Sequence, residues 1–345
     1  MAVSEHGGDI YTRKIEYDFS ANLNPLGMPE EVKNSLKNSV EVWESYPDPL
    51  CRKLVSALAD FEKIPPENIV CGNGAADLIY RIVAAFKPKK AVIAAPTFSE
   101  YEKALRQSGS SVTKHYLLEK NEFLLDDSIL EILNSSIDML FLCSPNNPTG
   151  RTVSPDLLKR ICEKCLAENI IFVCDECFMP FVSDAESRSV RNFLNENIII
   201  LKAFTKIFAM AGIRLGYAVF GSKKLAGILR KNGQFWSVST PAQIAGEAAL
   251  NEKKYLQKTV ELVGRERNFL TSELKNAGII VYPSEANFLL LRCDLPLDEL
   301  LIRERIAIRN CGNFDGLKEN YFRIAVRNHR ENTALISAVR RVLGG

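Results

Sequence analysis

From residue 68 onward, short apolar runs alternate with amphipathic stretches, and this rhythm constrains the fold more than any other feature of the chain. ENIVCG is followed by AADLIYRIVAAF, KAVIAAP by SEYEKALRQSG, and DMLFLCSP by SPDLLKRICEKCLAEN, after which come NIIFVCDE and NIIILKAF. Continuous apolar runs of this length read as strands buried on both faces, and the amphipathic stretches read as crossover helices. The pattern predicts an α/β fold with a mostly parallel sheet between helices. GIRLGYAVFG reads as a further strand, and the chain then becomes helical through SKKLAGILRKNG, TPAQIAGEAAL and a long stretch ending near Asn276. Strand-like ANFLLLRC, RIAIRNC and YFRIAVR return before a closing helix from about Glu331. This change of rhythm predicts a large domain at 46–274 and a smaller α+β domain built from 1–45 and 275–345.

Composition excludes several function classes. A chain of 345 residues has room for about two domains. Lys plus Arg (44) against Asp plus Glu (42) leaves a formal charge of +2, which argues against nucleic acid or an acidic membrane as the main partner. The longest apolar runs, IIFVC and NIIIL, fall far short of the ~20 residues of a membrane helix. The start, MAVSEHGGDIY, has no apolar h-region, so a cytoplasmic location is expected. Four of the nine cysteines form the pattern Cys162-x-x-Cys165 and Cys174-x-x-Cys177, which is superficially that of a zinc site. They fall on a helical stretch and a buried strand instead of paired tight turns, so core packing is the better reading and no metal is expected.

In open α/β sheets ligands sit at the carboxyl ends of the strands. The first run ends in Cys71-Gly72-Asn73-Gly74-Ala75-Ala76-Asp77 before a helix, a turn whose backbone N–H groups can cradle a phosphate. Asp77 in place of a third glycine, and Pro96 in place of an acid about 20 residues on, disfavour a dinucleotide fingerprint. A plain glycine-rich turn stays open as the alternative. The run DMLFLC ends in Ser144-Pro145-Asn146-Asn147-Pro148-Thr149-Gly150, and the next ends in Asp175-Glu176. A carboxylate at the tip of a buried strand wants a cation. Lys202 and Lys206 follow NIIIL, with Arg214 eight residues beyond Lys206. A lysine in a dry pocket can lose its proton and act as an imine-forming amine. Together these residue types describe the needs of pyridoxal 5'-phosphate: a reactive lysine, an acid for the ring nitrogen, a donor to the ring hydroxyl, an aromatic on the ring face and a phosphate cradle.

SPNNPTG, CDECF and TKIFAMAGIRLGY resemble the signature segments of fold-type I pyridoxal-phosphate enzymes, the class I/II aminotransferase superfamily, and the similarity runs over nearly the whole chain. The resemblance implies that Lys206 binds the cofactor covalently, that Arg214 holds its phosphate and that Lys202 does neither. It places Asn147 at the ring hydroxyl, Asp175 at the ring nitrogen and Phe98, in APTFSEY, on the ring face. Gly74, Ala75 and Ala76 form the phosphate turn. Ala203 stands where the family has a hydroxyl residue, with Thr205 as its substitute. Tyr46, in YPDP, resembles a residue that reaches the cofactor phosphate of a neighbouring subunit, which implies a homodimer with shared sites.

His6-Gly7-Gly8, DFSANLNPLGMP, YPDPLCRKL, IRNCGNF, YFRIAVR and Phe178 resemble the threonine-phosphate decarboxylases of the cobalamin side-chain pathway more than their sister family, the histidinol-phosphate aminotransferases. That likeness implies that His6, Asn22, Arg309 and Arg323 hold the phosphate and carboxylate of a phosphorylated amino acid or amine substrate, a task suited to the planar guanidinium fork. Surface salt bridges are the alternative for the two arginines, and a solvated terminal position for His6. The segment between HGG and DFSAN is shorter than the decarboxylase resemblance leads one to expect. Decarboxylation and transamination both remain open, with a non-catalytic nucleotide- or zinc-binding module as the remote reading.

Overall fold

The computed structural model describes residues 6–11 and 13–344. The alternating region folds as the sequence predicts. Strands β2 (Ile69–Gly72), β3 (Lys90–Ala95), β4 (Ser111–Tyr116), β5 (Met139–Cys143), β6 (Ile171–Asp175), β7 (Ile198–Ala203) and β8 (Gly216–Phe220) form one sheet in the order β2-β8-β7-β6-β5-β3-β4. The pairings β3/β4, β3/β5, β5/β6 and β6/β7 are parallel, and β8 runs antiparallel to both its neighbours. Side chains on the two faces of this sheet enter two separate apolar clusters, which is why the strand sequences lack polar alternation. Helix Gly74–Phe86 follows β2, and Glu100–Gln107 and Pro155–Ala167 serve as crossovers. Pro155 occupies the first turn, where its missing N–H costs nothing, and Ser154 Oγ accepts the Leu157 N–H (3.3 Å).

In this sheet one strand was not evident in the sequence. SVTKHY forms the edge strand β4, with no fully buried side chain, so it carries no apolar signal.

A second sheet has the order β12 (Arg309–Asn310), β13 (Tyr321–Ala325), β10 (Phe288–Arg292), β9 (Ile280–Val281). The N-terminal segment joins this region: β1 (Tyr17–Asp18) pairs in parallel with β11 (Ile306–Ala307). Phe19 continues the contact, donating to the Ala307 carbonyl and accepting from the Ala325 N–H, each at 2.8 Å. RIAIRNC is thus two short strands, not one. The closing helix begins at His329, two residues before the expected Glu331, because Asn328 Oδ1 caps the Glu331 N–H (3.0 Å).

Cys162 and Cys165 lie buried on the sheet side of their helix and Cys174 lies inside β6. No cluster of potential metal ligands occurs among the described residues. No helix among them is long and apolar enough to cross a membrane.

Candidate active site

The carboxyl ends of the parallel strands, the turn after β2 and the N-terminal segment enclose a cavity of about 460 Å³. His6, Asn22, Ala75, Ala76, Phe98, Asn147, Asp175, Thr205, Lys206, Arg214, Arg309 and Arg323 all line it. Residues separated by more than 300 positions in sequence therefore share one site. Gly74 stands just behind the wall, and Tyr46 lies elsewhere, 80% exposed with its ring stacked on Trp236 at 4.6 Å.

The phosphate end of the site is built by a turn and a helix. Gly74 has φ +83°, and a Cβ there would come within 2.8 Å of Arg214 Nη2, so glycine is required both by conformation and by space. The N-terminus of helix Gly74–Phe86 and the Arg214 guanidinium thereby converge. Free helix N–H groups, the positive end of the helix dipole and a guanidinium together suit a phosphate. Asp77, four residues into this turn, accepts the Asn73 N–H (3.0 Å) and braces the loop.

Deeper in the cavity, Asp175 caps β6 and is only 5% exposed. Its Oδ2 accepts the Tyr101 hydroxyl at 2.6 Å and its Oδ1 accepts the Cys177 N–H at 2.9 Å. These donors orient the carboxylate without neutralising it, leaving it suited to a cationic ring nitrogen. Phe98 lies beside Tyr101, ring edge to ring face, with centroids 5.6 Å apart. Lys206 sits on the four-residue helix Phe204–Ile207 that follows β7. Burial pushes its ammonium pKa down to about 8; Arg323 and Arg214 push the same way, while Cys177 and Asp175 oppose them. Lys206 is thus the amine with an accessible neutral form near physiological pH.

Lys202 is occupied otherwise. Its Nζ lies 2.9 and 3.1 Å from the two oxygens of buried Glu62, which also accepts the Tyr217 hydroxyl at 2.5 Å. It neutralises a buried charge on the far side of the strand end.

Opposite the phosphate turn stand two buried arginines. Arg309 and Arg323 are direct partners across β12 and β13. Like charges in that position repel, and neither is at the surface, which removes the salt-bridge alternative for Arg323. Its partners are neutral oxygens: Nη1 donates to Asn147 Oδ1 (2.5 Å) and Nη2 to the Ser20 carbonyl (2.7 Å), while Nε has no partner among the described residues. Burial pushes its pKa down to about 10, and the Arg309 charge adds to the effect. Arg309 donates to Asn313 Oδ1 (2.7 Å) and lies 5.5 Å from the Phe314 ring centroid. Asn22 Oδ1 is buried without a partner among the described residues. His6 Nε2 meets Glu100 Oε1 at 2.9 Å at the cavity mouth, so it is not simply a solvated terminal residue.

Sequence reasoning passed over Tyr101, Glu100, Ser20, Cys143, Cys177 and Phe314. Core packing is the sequence reading for Cys177, yet it and Cys143 line the cavity, although burial pushes both thiols up and makes them poor nucleophiles. Tyr101 carried a usable signal, since Phe98-x-x-Tyr101 places two aromatics side by side at the end of β3.

The residues fit pyridoxal phosphate at both ends, with a cradle that a Cβ would fill at one and a desolvated lysine beside a buried, donor-held carboxylate at the other. A mixed α/β sheet presenting this set at its strand ends defines a pyridoxal-phosphate enzyme of fold type I. The family model described as aminotransferase class I and II matches residues 14–339, and the chain belongs to that family, whose members depend on pyridoxal phosphate. It is 39% identical to the threonine-phosphate decarboxylase of Salmonella typhimurium over 99% of this chain and 97% of that one. It is 34% identical to an adenosylcobalamin biosynthesis bifunctional protein of Leptospira interrogans, covering all of this chain and 42% of that one. Among solved structures it is similar to the histidinol-phosphate aminotransferase of Clostridium acetobutylicum, with a TM-score of 0.89 and 29% identity over 95% of this chain and 99% of that one.

Proposed function

We propose that this enzyme decarboxylates L-threonine O-3-phosphate. The observation that carries the reading is the pair of buried guanidiniums, Arg309 and Arg323, facing each other in the same cavity as Lys206. Two cations that repel each other suit a substrate with two anionic groups, a phosphate and a carboxylate. Histidinol phosphate carries only one, but the 2-oxoglutarate used with it carries two carboxylates, so the 39% identity to a threonine-phosphate decarboxylase over 99% of this chain supports the choice between them.

When bound, pyridoxal phosphate supplies an electrophilic carbonyl carbon and a ring that accepts an electron pair. Ala75, Ala76 and Arg214 would hold its phosphate, with Gly74 shaping the turn and Thr205 standing in the wall where Ala203 offers no hydroxyl. Asp175 would keep positive charge at the ring nitrogen, Asn147 would donate to the ring hydroxyl and Phe98 would pack on the ring. Arg323, Arg309, Asn22 and His6 orient the substrate so that its Cα–carboxylate bond is the one broken. Carbon dioxide leaves without its bonding pair, and a proton delivered at Cα, for which Lys206 Nζ is the placed carrier, completes an amine phosphate. Buried Tyr101 and Phe178 wall the cavity beside Lys206, which is partly exposed to it, and so limit the access of water to that proton.

A homodimer with Tyr46 serving the neighbouring site, and a large domain at 46–274 with a small domain from 1–45 and 275–345, belong to the same proposal; the separate sheets support the division. Nine free thiols support a reducing, cytoplasmic setting. The fold similarity to an aminotransferase favours transamination of a phosphorylated amine as the second reading. Incubation with L-threonine O-3-phosphate separates them. Release of carbon dioxide without any oxo acid is expected; turnover only of histidinol phosphate with 2-oxoglutarate overturns the proposal.

A further inference from the structure

Asn24 lies two residues beyond Asn22, is 2% exposed and does not line the cavity. Both polar atoms of its side chain are engaged. Nδ2 donates to the Ile207 carbonyl and to Thr259 Oγ1, each at 2.7 Å, and Oδ1 accepts the Leu26 N–H at 3.0 Å. Its own backbone N–H donates to the Lys206 carbonyl at 3.1 Å. Two consecutive peptide carbonyls, those of Lys206 and Ile207, thus take donors from a single residue of the N-terminal segment.

The need for this arrangement follows from the length of the helix Phe204–Ile207. With four residues, its last carbonyls have outrun the regular ladder: that of Lys206 takes the Ala209 N–H at 3.3 Å from the following turn, and Asn24 adds a shorter bond to it and one to the Ile207 carbonyl. Thr259 Oγ1 passes its own proton to the Tyr255 carbonyl (2.8 Å), so Asn24 is wedged between the Lys206 turn and the long helix Lys253–Asn276. Four residues before Asn24, the Ser20 carbonyl holds Arg323. The segment Ser20–Asn24 therefore grips the backbone of the reactive lysine at one end and the guanidinium for the substrate at the other.

We propose that Asn24 is a positioning residue that fixes the Lys206 backbone and couples its placement to that of Arg323. The inference rests on the reading of Lys206 as the cofactor-binding lysine. Its consequence is that loss of the Nδ2 donor lets the Lys206 amine move relative to the groups that face it, Arg323, Arg214, Cys177 and Asp175, without removing any group that touches substrate.

The test uses Asn24→Ala, the milder Asn24→Ser, and Thr259→Val, which leaves the Ile207 bond in place. Two readouts are taken on the full-length protein. The first is kcat and KM of the holoenzyme, normalised to bound cofactor. The second is the pH midpoint for attachment of pyridoxal phosphate to the cofactor-free protein, followed by visible absorbance. Both Asn24 variants are expected to lose about tenfold in kcat, the order of one buried hydrogen bond, with KM within about twofold, and to raise the attachment midpoint toward that of an ordinary lysine. Thr259→Val is expected to change both less. If Asn24→Ala does not fold, Asn24→Ser and Thr259→Val decide. Lower thermal stability with kcat per cofactor and midpoint unchanged overturns the proposal. A Lys206→Ala control that still binds the cofactor covalently overturns the underlying reading instead.

Discussion

Lys202 and Lys206 lie four residues apart, and chemistry separates them by burial partner, not by sequence. Lys202 is committed to Glu62, whose carboxyl is held below its usual range despite burial by Lys202, the Tyr217 hydroxyl and Arg191. Lys202→Met is expected to leave pyridoxal phosphate bound to Lys206 but to take the nearest cation from that buried carboxylate, which keeps Arg191 (3.3 Å) and the Tyr217 hydroxyl (2.5 Å), a loss of about 1.5–3 kcal/mol. Chemical denaturation of the variant measures it, and an unchanged midpoint would refute the assignment. Lys206 works in the opposite sense. In the cofactor-free protein its pKa is about 8 against an ordinary 10.5, so between those values the unfolded chain binds more protons and stability rises with pH. At pH 7 the penalty is on the order of 3 kcal/mol at about 1.4 kcal/mol per unit. Lys206→Met should therefore melt higher than the parent at pH 7 when both lack cofactor, an advantage that fades by about pH 10.5; a lower melting point at pH 7 would show that the amine is not desolvated. Asp175 was legible because it ends an apolar run, where a charge is conspicuous, whereas Lys202 ends the next run and only the family resemblance of TKIFAMAGIRLGY singled out Lys206 instead. Asn24 and Ser20 were not legible, since one acts through carbonyls about 180 residues away and the other through its own backbone.

Elements were legible in proportion to their burial. The fully buried strands β5 and β7 stood out as continuous apolar runs, whereas β4 hid behind a solvent edge. That edge nevertheless bears on the site. Lys114 of β4 pairs with Glu102 (2.9 Å) on helix Glu100–Gln107 and with Asp315 (2.5 Å) on the loop after β12. The same loop carries Asn313 and Phe314, which contact Arg309. Lys114→Met removes the ion pair that ties the loop to the sheet edge, leaving the Tyr116 hydroxyl on Asp315 (3.2 Å), without touching the cavity. These groups are partly exposed, so the contact is worth only ~0.5–1 kcal/mol, which corresponds to a rise of about two- to fivefold in KM for a substrate held by Arg309. Steady-state kinetics at low and high salt check this, since salt should erase much of the difference between variant and parent. A kcat effect with unchanged KM would mean that the loop serves another purpose.

At the scale of the whole molecule, the alternation of runs conveyed a mostly parallel sheet, and the return of strand patterns after Asn276 conveyed a second sheet. The joining of the N-terminus to that sheet through two-residue β1 was beyond periodicity, because so short a strand has no pattern to read. The proposed homodimer bears on this scale as well. Tyr46, Trp43, Phe235 and Trp236 are exposed, with Tyr46 stacked on Trp236 and Phe235 next to it, an aromatic surface that an isolated monomer would not favour. In a twofold dimer each subunit would lend Tyr46 to the other's phosphate turn. Subunit mixing tests this directly. Homodimers of Lys206→Ala lack the reactive amine, and homodimers of Tyr46→Ala lack the lent hydroxyl, so each alone should be weak or inactive. In a mixed dimer, the site that keeps Lys206 receives Tyr46 from the Lys206→Ala partner and is complete, while the other site is doubly defective. After denaturation and joint refolding of equal amounts, half the dimers are mixed and each has one intact site, so activity should recover to roughly a quarter of the parent value. Recovery no greater than the average of the two homodimers would place Tyr46 outside the neighbouring site, whatever the oligomeric state.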